Sequence, residues 1–96
     1  MRWIEMINLR SGNQGERAKV IDLLKNMIPD HARYLVYIKW YIHGFIDTDL
    51  SIHLCWENKD FGKESPMGLQ LIRVLENFGL VSHHIWVEDG VRKLNQ

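Results

Sequence analysis

Leu50-Ser51-Ile52-His53-Leu54-Cys55-Trp56 alternates a large apolar residue with a smaller or more polar one along its whole length. Successive side chains on a strand point to opposite faces, so this pattern predicts a strand with one buried face. Just upstream, the run from Arg33 to Phe45 holds Tyr34, Val36, Tyr37, Ile38, Trp40, Tyr41 and Ile42. Aromatic and β-branched residues of this kind suit a pleated, half-buried surface. Asp47-Thr48-Asp49 separates the two runs with turn-forming residues. Together they read as a hairpin of two antiparallel strands.

Working outward toward the N-terminus, Ser11-Gly12-Asn13-Gln14-Gly15 is a turn cluster offering Ser11 and Asn13 as helix caps. The segment from Glu16 to Ile28 places Val20, Ile21, Leu24, Met27 and Ile28 at helical spacing, with Pro29 as its stop. Trp3 to Leu9 reads as a strand that precedes this helix. Toward the C-terminus, Glu57 to Glu64 is a charged loop. Ser65-Pro66 then places a cap and a proline where a helix start prefers them. Leu69, Leu71, Ile72, Val74, Leu75 and Phe78 give that helix a broad apolar face, and Gly79 is expected to cap its end. Leu80 to Glu88 reads as a last strand. Asp89-Gly90 turns the chain into a tail that either adds a short edge strand or frays.

The order strand, helix, strand, strand, helix, strand predicts an α+β two-layer sandwich of the ferredoxin-like βαββαβ type. Its four-stranded antiparallel sheet has the order 4-1-3-2, with both helices on one face. A chain of 96 residues leaves room for one core, so residues 1–96 are expected to form a single domain with its core over 3–88 and a tail over 89–96.

Composition narrows the function classes. Hydrophobic residues make up 46 %, a globular value. Twelve basic and twelve acidic residues balance to zero net charge, which argues against nucleic acid or an anionic membrane as partner. An RNA-recognition sheet is disfavoured too, because Ile52-His53-Leu54-Cys55-Trp56 lacks the basic-glycine-aromatic signature. The single cysteine, Cys55, allows no internal disulfide. No apolar run suggests a signal peptide or a membrane helix, so a cytoplasmic location is the expectation.

Strand parity divides the sheet into two faces. The more apolar set, expected against the helices, holds Ile7 and Leu9; Val36, Ile38, Trp40 and Ile42; Leu50, Ile52, Leu54 and Trp56; and Val81, Ile85 and Val87. The opposite set holds Ile4, Met6 and Asn8; Leu35, Tyr37, Lys39, Tyr41 and His43; Ser51, His53 and Cys55; and Ser82, His84 and Trp86. A merely solvated face would carry more Lys, Glu and Thr. This one implies an interface or a ligand surface, and a homodimer through the open sheet face is the expected arrangement.

By element order, length and the character of that second face, the chain resembles the dimeric α+β barrel superfamily, which includes antibiotic-biosynthesis-monooxygenase-like proteins. The resemblance covers roughly residues 3–88. It implies two ferredoxin-like subunits with their sheets packed together around a cavity. Some members use an Asn on the first strand with a Trp and a His; here Asn8 lies on that strand, and Trp86, His53 and His84 share its face. Three functions follow as expectations. The first is a homodimer whose cavity binds a small apolar or aromatic molecule. The second is a cofactor-independent monooxygenase or isomerase, and the third a regulatory module similar in layout to ACT domains.

The candidate ligand-binding residues are Asn8, Tyr37, Tyr41, His53, Cys55, His84 and Trp86, with no catalytic residue assigned and no cofactor expected. His53 and Cys55 point the same way, and imidazole with thiolate suits zinc, but a site needs three or four ligands in fixed geometry. No metal is therefore expected, and hydrogen bonding on the open face is the simpler reading. A Cys55 nucleophile activated by His53 requires an accessible thiol. His83 falls on the helix side by parity and reads as a partly buried, hydrogen-bonded histidine. The loop Arg10 to Gly15 matches no phosphate-binding fingerprint and reads as a capped turn.

Overall fold

Trp3, Glu5, Ile7 and Leu9 share one face of the first strand, and all four are buried. They belong to β1 (Arg2–Ser11), a central strand in the computed structural model, which describes residues 1–29, 32–58 and 65–95. The chain continues through α1 (Gln14–Asn26), β2 (Leu35–Ile42), β3 (Asp49–Glu57), α2 (Pro66–Leu75) and β4 (Gly79–Val87). The strands form one antiparallel sheet in the order β2-β3-β1-β4, the topology expected from the element order. It is an α+β, ferredoxin-like sandwich. Among the described residues no helix is long and apolar enough to cross a membrane.

One core cluster explains the layering. Val20 and Leu24 of α1 and Met67, Leu71 and Leu75 of α2 pack with Trp3, Ile7, Leu9, Leu50, Ile52, Leu54 and Trp56 of the sheet. Each such side chain removed from water contributes about 1.5–3 kcal/mol. Both helices therefore cover the same sheet face, and the other face is left open. Trp3 and Trp56 stack at 5.9 Å between ring centroids, and the Trp3 indole donates to Asn58 Oδ1 at 2.7 Å.

The helix starts follow local chemistry. Asn13 Oδ1 accepts from the Glu16 amide at 2.9 Å and caps α1, while Ser11 instead donates to backbone carbonyls. Ser65 Oγ accepts from the Gly68 amide at 2.8 Å and caps α2, with Pro66 in the first turn. Two helix ends differ from expectation. α1 stops at Asn26, before Pro29, and leaves Ile28 89 % exposed. α2 stops at Leu75, so Gly79 is no helix cap; it opens β4. A Cβ at Gly79 would lie 2.8 Å from the Arg10 carbonyl carbon, so glycine permits the close approach of β4 to β1.

One further difference concerns parity. β2 carries a bulge between Leu35 and Tyr37, which places Leu35 opposite Trp56 and turns it toward the helices. Val36 is 43 % exposed, so the expected assignments of Leu35 and Val36 are exchanged. Glu5, which the expected face sets left out, lies among the core residues with no exposed surface. Its carboxyl accepts from Trp56 Nε1 at 2.8 Å, from Ser65 Oγ and, more distantly, from the Ser65 amide at 3.4 Å. His83 Nε2 pairs at 2.8 Å with Oε2, the oxygen that also faces the Ser65 amide, which makes His83 the hydrogen-bonded, helix-side histidine that parity predicts. These bonds tie β1, β3, β4 and the start of α2 to one buried group. The charged loop read at Glu57–Glu64 falls mostly outside the described residues, and residues 88–95 form no strand.

Candidate functional site: the open face of the sheet

Backbone register arranges the open face in four rows that cross the sheet. Trp86, Ile4, Cys55 and Tyr37 form the first, and His84, Met6, His53 and Lys39 the second. Ser82, Asn8, Ser51 and Tyr41 form the third. Leu80, Arg10 and Asp49 form the fourth, continued by His43, whose amide donates to the Asp49 carbonyl at 3.1 Å. All seven sequence-predicted candidates lie on this face, as their parity requires.

The third and fourth rows enclose a groove of about 560 Å³. Its form follows from residue size. Asn8 and Ser51 on the central strands and Ser82 beside them are short, while Tyr41 and Leu80 rise from the edge strands. Arg10 and Asp49 close one end with a two-pronged ion pair, both prongs 3.0 Å long. The Arg10 guanidinium holds the Asp49 carboxyl below the ordinary carboxylate range. His43 lines the same end, and its Nδ1 accepts from the amides of Phe45 and Ile46, which fixes the ring.

Of the candidates, Asn8 and Tyr41 line this groove. His53 stands directly behind it. Its ring lies 5.0 Å from the Tyr41 ring, and its Nε2 is 3.1 Å from Ser51 Oγ. Burial, reinforced by the charge of Lys39, lowers the His53 pKa below the ordinary value of 6.5. The imidazole is thus neutral at pH 7 and able to accept or relay a hydrogen bond from Ser51. Tyr37, Cys55, His84 and Trp86 lie farther along the face. Cys55 is fully buried, which removes the accessible thiol a nucleophile requires. Beside it, burial and then the thiol raise the Tyr37 pKa above the ordinary phenol value.

His53 and His84 flank Met6 on neighbouring strands, which separates their backbones by roughly 10 Å at about 4.8 Å per strand spacing. Among the described residues no three His, Cys, Asp or Glu side chains are grouped to hold a metal ion. The groove residues absent from the sequence-predicted set are the polar Arg10, His43, Asp49, Ser51 and Ser82 and the apolar Leu9, Ile42, Leu50, Leu80 and Val81. Their signal was available in part: Ser51 and Ser82 share the parity of His53 and His84, and short residues between large ones make a hollow. The pairing of Arg10 with Asp49 depends on register between β1 and β3, which the local sequence of neither strand reveals.

No family model and no curated protein sequence matches the chain. Solved structures do match it. The structure of Rv0793 from Mycobacterium tuberculosis is similar over 97 % of this chain and 100 % of that one, at 12 % identity and a TM-score of 0.68. A formyltetrahydrofolate deformylase from Pseudomonas putida KT2440 matches over 94 % of this chain and 30 % of that one, at 13 % identity and a TM-score of 0.47. The likeness to Rv0793 extends through every element described above, and what it shows for this chain is the ferredoxin-like α+β fold.

Proposed function

We propose that two copies of the chain pack their open sheet faces together, as in a dimeric α+β barrel, and that the enclosed groove binds a small apolar or aromatic molecule. The observation that carries this reading is a broad sheet face that is both apolar and nearly free of unpaired charge. Trp86, Tyr41 and Leu80 expose more than half of their surface on it. The acidic strand residues on it are matched at the ends, where Arg2 pairs with Glu57 and Arg10 with Asp49. Among the described strand residues of this face Lys39 is the remaining cation, and its ammonium sits 4.4 Å from the Tyr37 ring centroid. A second identical face can cover this surface without opposing like charges, whereas a nucleic acid or an anionic membrane would find little to bind.

Area supports the same partner. Four strands about 4.8 Å apart and about nine residues long, at roughly 3.4 Å per residue, present on the order of 600 Å² in projection. Side-chain relief brings that near the ~800 Å² per partner of a standard interface. Within such a pair the groove offers an apolar wall with Asn8, Ser51 and Ser82 as hydrogen-bonding groups. That combination suits a largely apolar ligand oriented by a few polar atoms.

Native mass spectrometry of the untagged protein tests this, with Tyr41→Arg as the comparison. The expected result is an assembly carrying a small-molecule passenger, with Tyr41→Arg halving the assembly mass and releasing the passenger. A monomeric wild type, or an assembly that Tyr41→Arg leaves intact, overturns the reading.

A further inference from the structure

The two edges of the sheet are built differently. β2 is interrupted by its bulge and carries Lys39, two features that discourage a further strand from pairing there. β4 is regular along its whole pairing with β1, and Gly79–Val87 contains no Lys, Arg, Asp, Glu or Pro. Backbone bonds beyond its two ends fix which residues face outward. The Glu88 amide donates to the Arg2 carbonyl at 2.9 Å, and the Gly12 amide donates to the Phe78 carbonyl at 3.0 Å. Bonded and non-bonded pairs alternate in an antiparallel ladder. Leu80, Ser82, His84 and Trp86 therefore bond to β1. Gly79, Val81, His83, Ile85 and Val87 direct their amides and carbonyls away from the sheet, and among the described residues these groups have no backbone partner.

We infer that this edge is a twofold seam, in which β4 pairs antiparallel with β4 of a second copy and joins the two sheets into one. The strand's own sequence selects a second copy. A twofold axis at His83 sets Gly79 opposite Val87, Val81 opposite Ile85 and His83 opposite itself. Every one of these is an outward-facing position, so the register forms about ten backbone hydrogen bonds, the number of a standard interface. On the open face the same register sets Leu80 opposite Trp86 and Ser82 opposite His84. Leu80 is 76 % and Trp86 58 % exposed in the single chain, and the seam lays each against the other. With no Lys, Arg, Asp or Glu on the strand, self-pairing opposes no like charges while the histidines are neutral. The seam goes beyond the face pairing proposed above, since it is made by the β4 backbone while Tyr41 stands at the opposite edge of the sheet.

The test is amide hydrogen exchange on the full chain, read together with its mass in solution, for wild type, Val81→Pro and Tyr41→Arg. Proline at position 81 removes an outward amide and no bond to β1, so the strand persists. The expected result is exchange at His83 and Ile85 about a hundredfold slower in wild type than in Val81→Pro, with the slow exchange surviving Tyr41→Arg. Should Val81→Pro fail to fold, protection of these amides in wild type that rises with protein concentration supports the seam. Fast exchange at these amides in wild type overturns it, and if Tyr41→Arg still disrupts the assembly, face pairing alone remains. Protection in a monomeric wild type also overturns the seam, because the chain then covers its own edge.

Discussion

Glu5 and Gly68 define each other. Gly68 sits in the first turn of α2, buried against the Glu5 carboxyl, and a Cβ there would lie 2.9 Å from the carboxyl carbon. Helix propensity alone says Gly68→Ala should stabilise by about 0.8–1 kcal/mol. Sterics oppose this, because the carboxyl is held by Trp56, Ser65 and His83 and has nowhere to move. Overpacking of a fixed core typically costs about 1–3 kcal/mol, so Gly68→Ala is expected to be destabilising, seen as a lower urea midpoint. A midpoint that rises would mean the Glu5 cluster yields. Glu5→Ala is the harsher change. It removes the acceptor for the Trp56 indole and the partner of His83 and leaves a cavity, at a cost of about 3–5 kcal/mol. Glu5→Gln keeps the volume and one acceptor, and should cost about 1–3 kcal/mol by the same measurement. Little of this was legible in the sequence. The alternation of Trp3, Glu5, Ile7 and Leu9 puts Glu5 on the buried face, but an isolated carboxylate is costly to bury, and its partners come from distant strands and a helix cap.

At the scale of elements, alternation was a sound guide wherever the ladder is regular. β1, β3 and β4 present the faces that their sequences predict, because a period of two allows no drift. β2 breaks the rule at its start. One extra residue in the strand reverses every assignment before it, and nothing in Leu35-Val36-Tyr37 marks the bulge, since all three are good strand residues. The exchange has a measurable consequence. Leu35→Thr places a hydroxyl against the core beside Trp56 and should lower stability by about 1–3 kcal/mol. Val36→Thr, on an exposed side, should change it by no more than about 0.5 kcal/mol. Equal effects, or the reverse order, in chemical denaturation would show that β2 lacks the bulge. The helix ends were misjudged for a related reason: Pro29 and Gly79 are strong stop signals, yet α1 and α2 end earlier, and Gly79 serves the approach of two strands.

For the whole molecule, the charge balance makes histidine the group that responds to mild acid. Acidic and basic residues cancel with the histidines neutral, so any histidine that gains a proton leaves the chain net positive. His53 differs from an ordinary histidine because burial, and then Lys39, depress its pKa in the folded chain. The unfolded chain therefore binds this proton more readily than the folded one. The stability linked to neutral His53 is fully present above the ordinary value of 6.5 and is lost as pH falls through the depressed folded value. Asp49, the groove carboxyl whose pKa is also lowered, contributes its loss only below the ordinary value of 3.8. Urea midpoints should thus decline as pH falls below 6.5, and His53→Gln should flatten part of that decline. Association has the same sign. His53 lies beside the groove on the face proposed to pair, and a proton there adds positive charge near Lys39 on a surface whose other charges are matched. Sedimentation should therefore show the face-paired assembly weakening over this range in wild type and less so in His53→Gln. An assembly that tightens on acidification would place His53 opposite a carboxylate of the second copy and change the proposed register of the two faces.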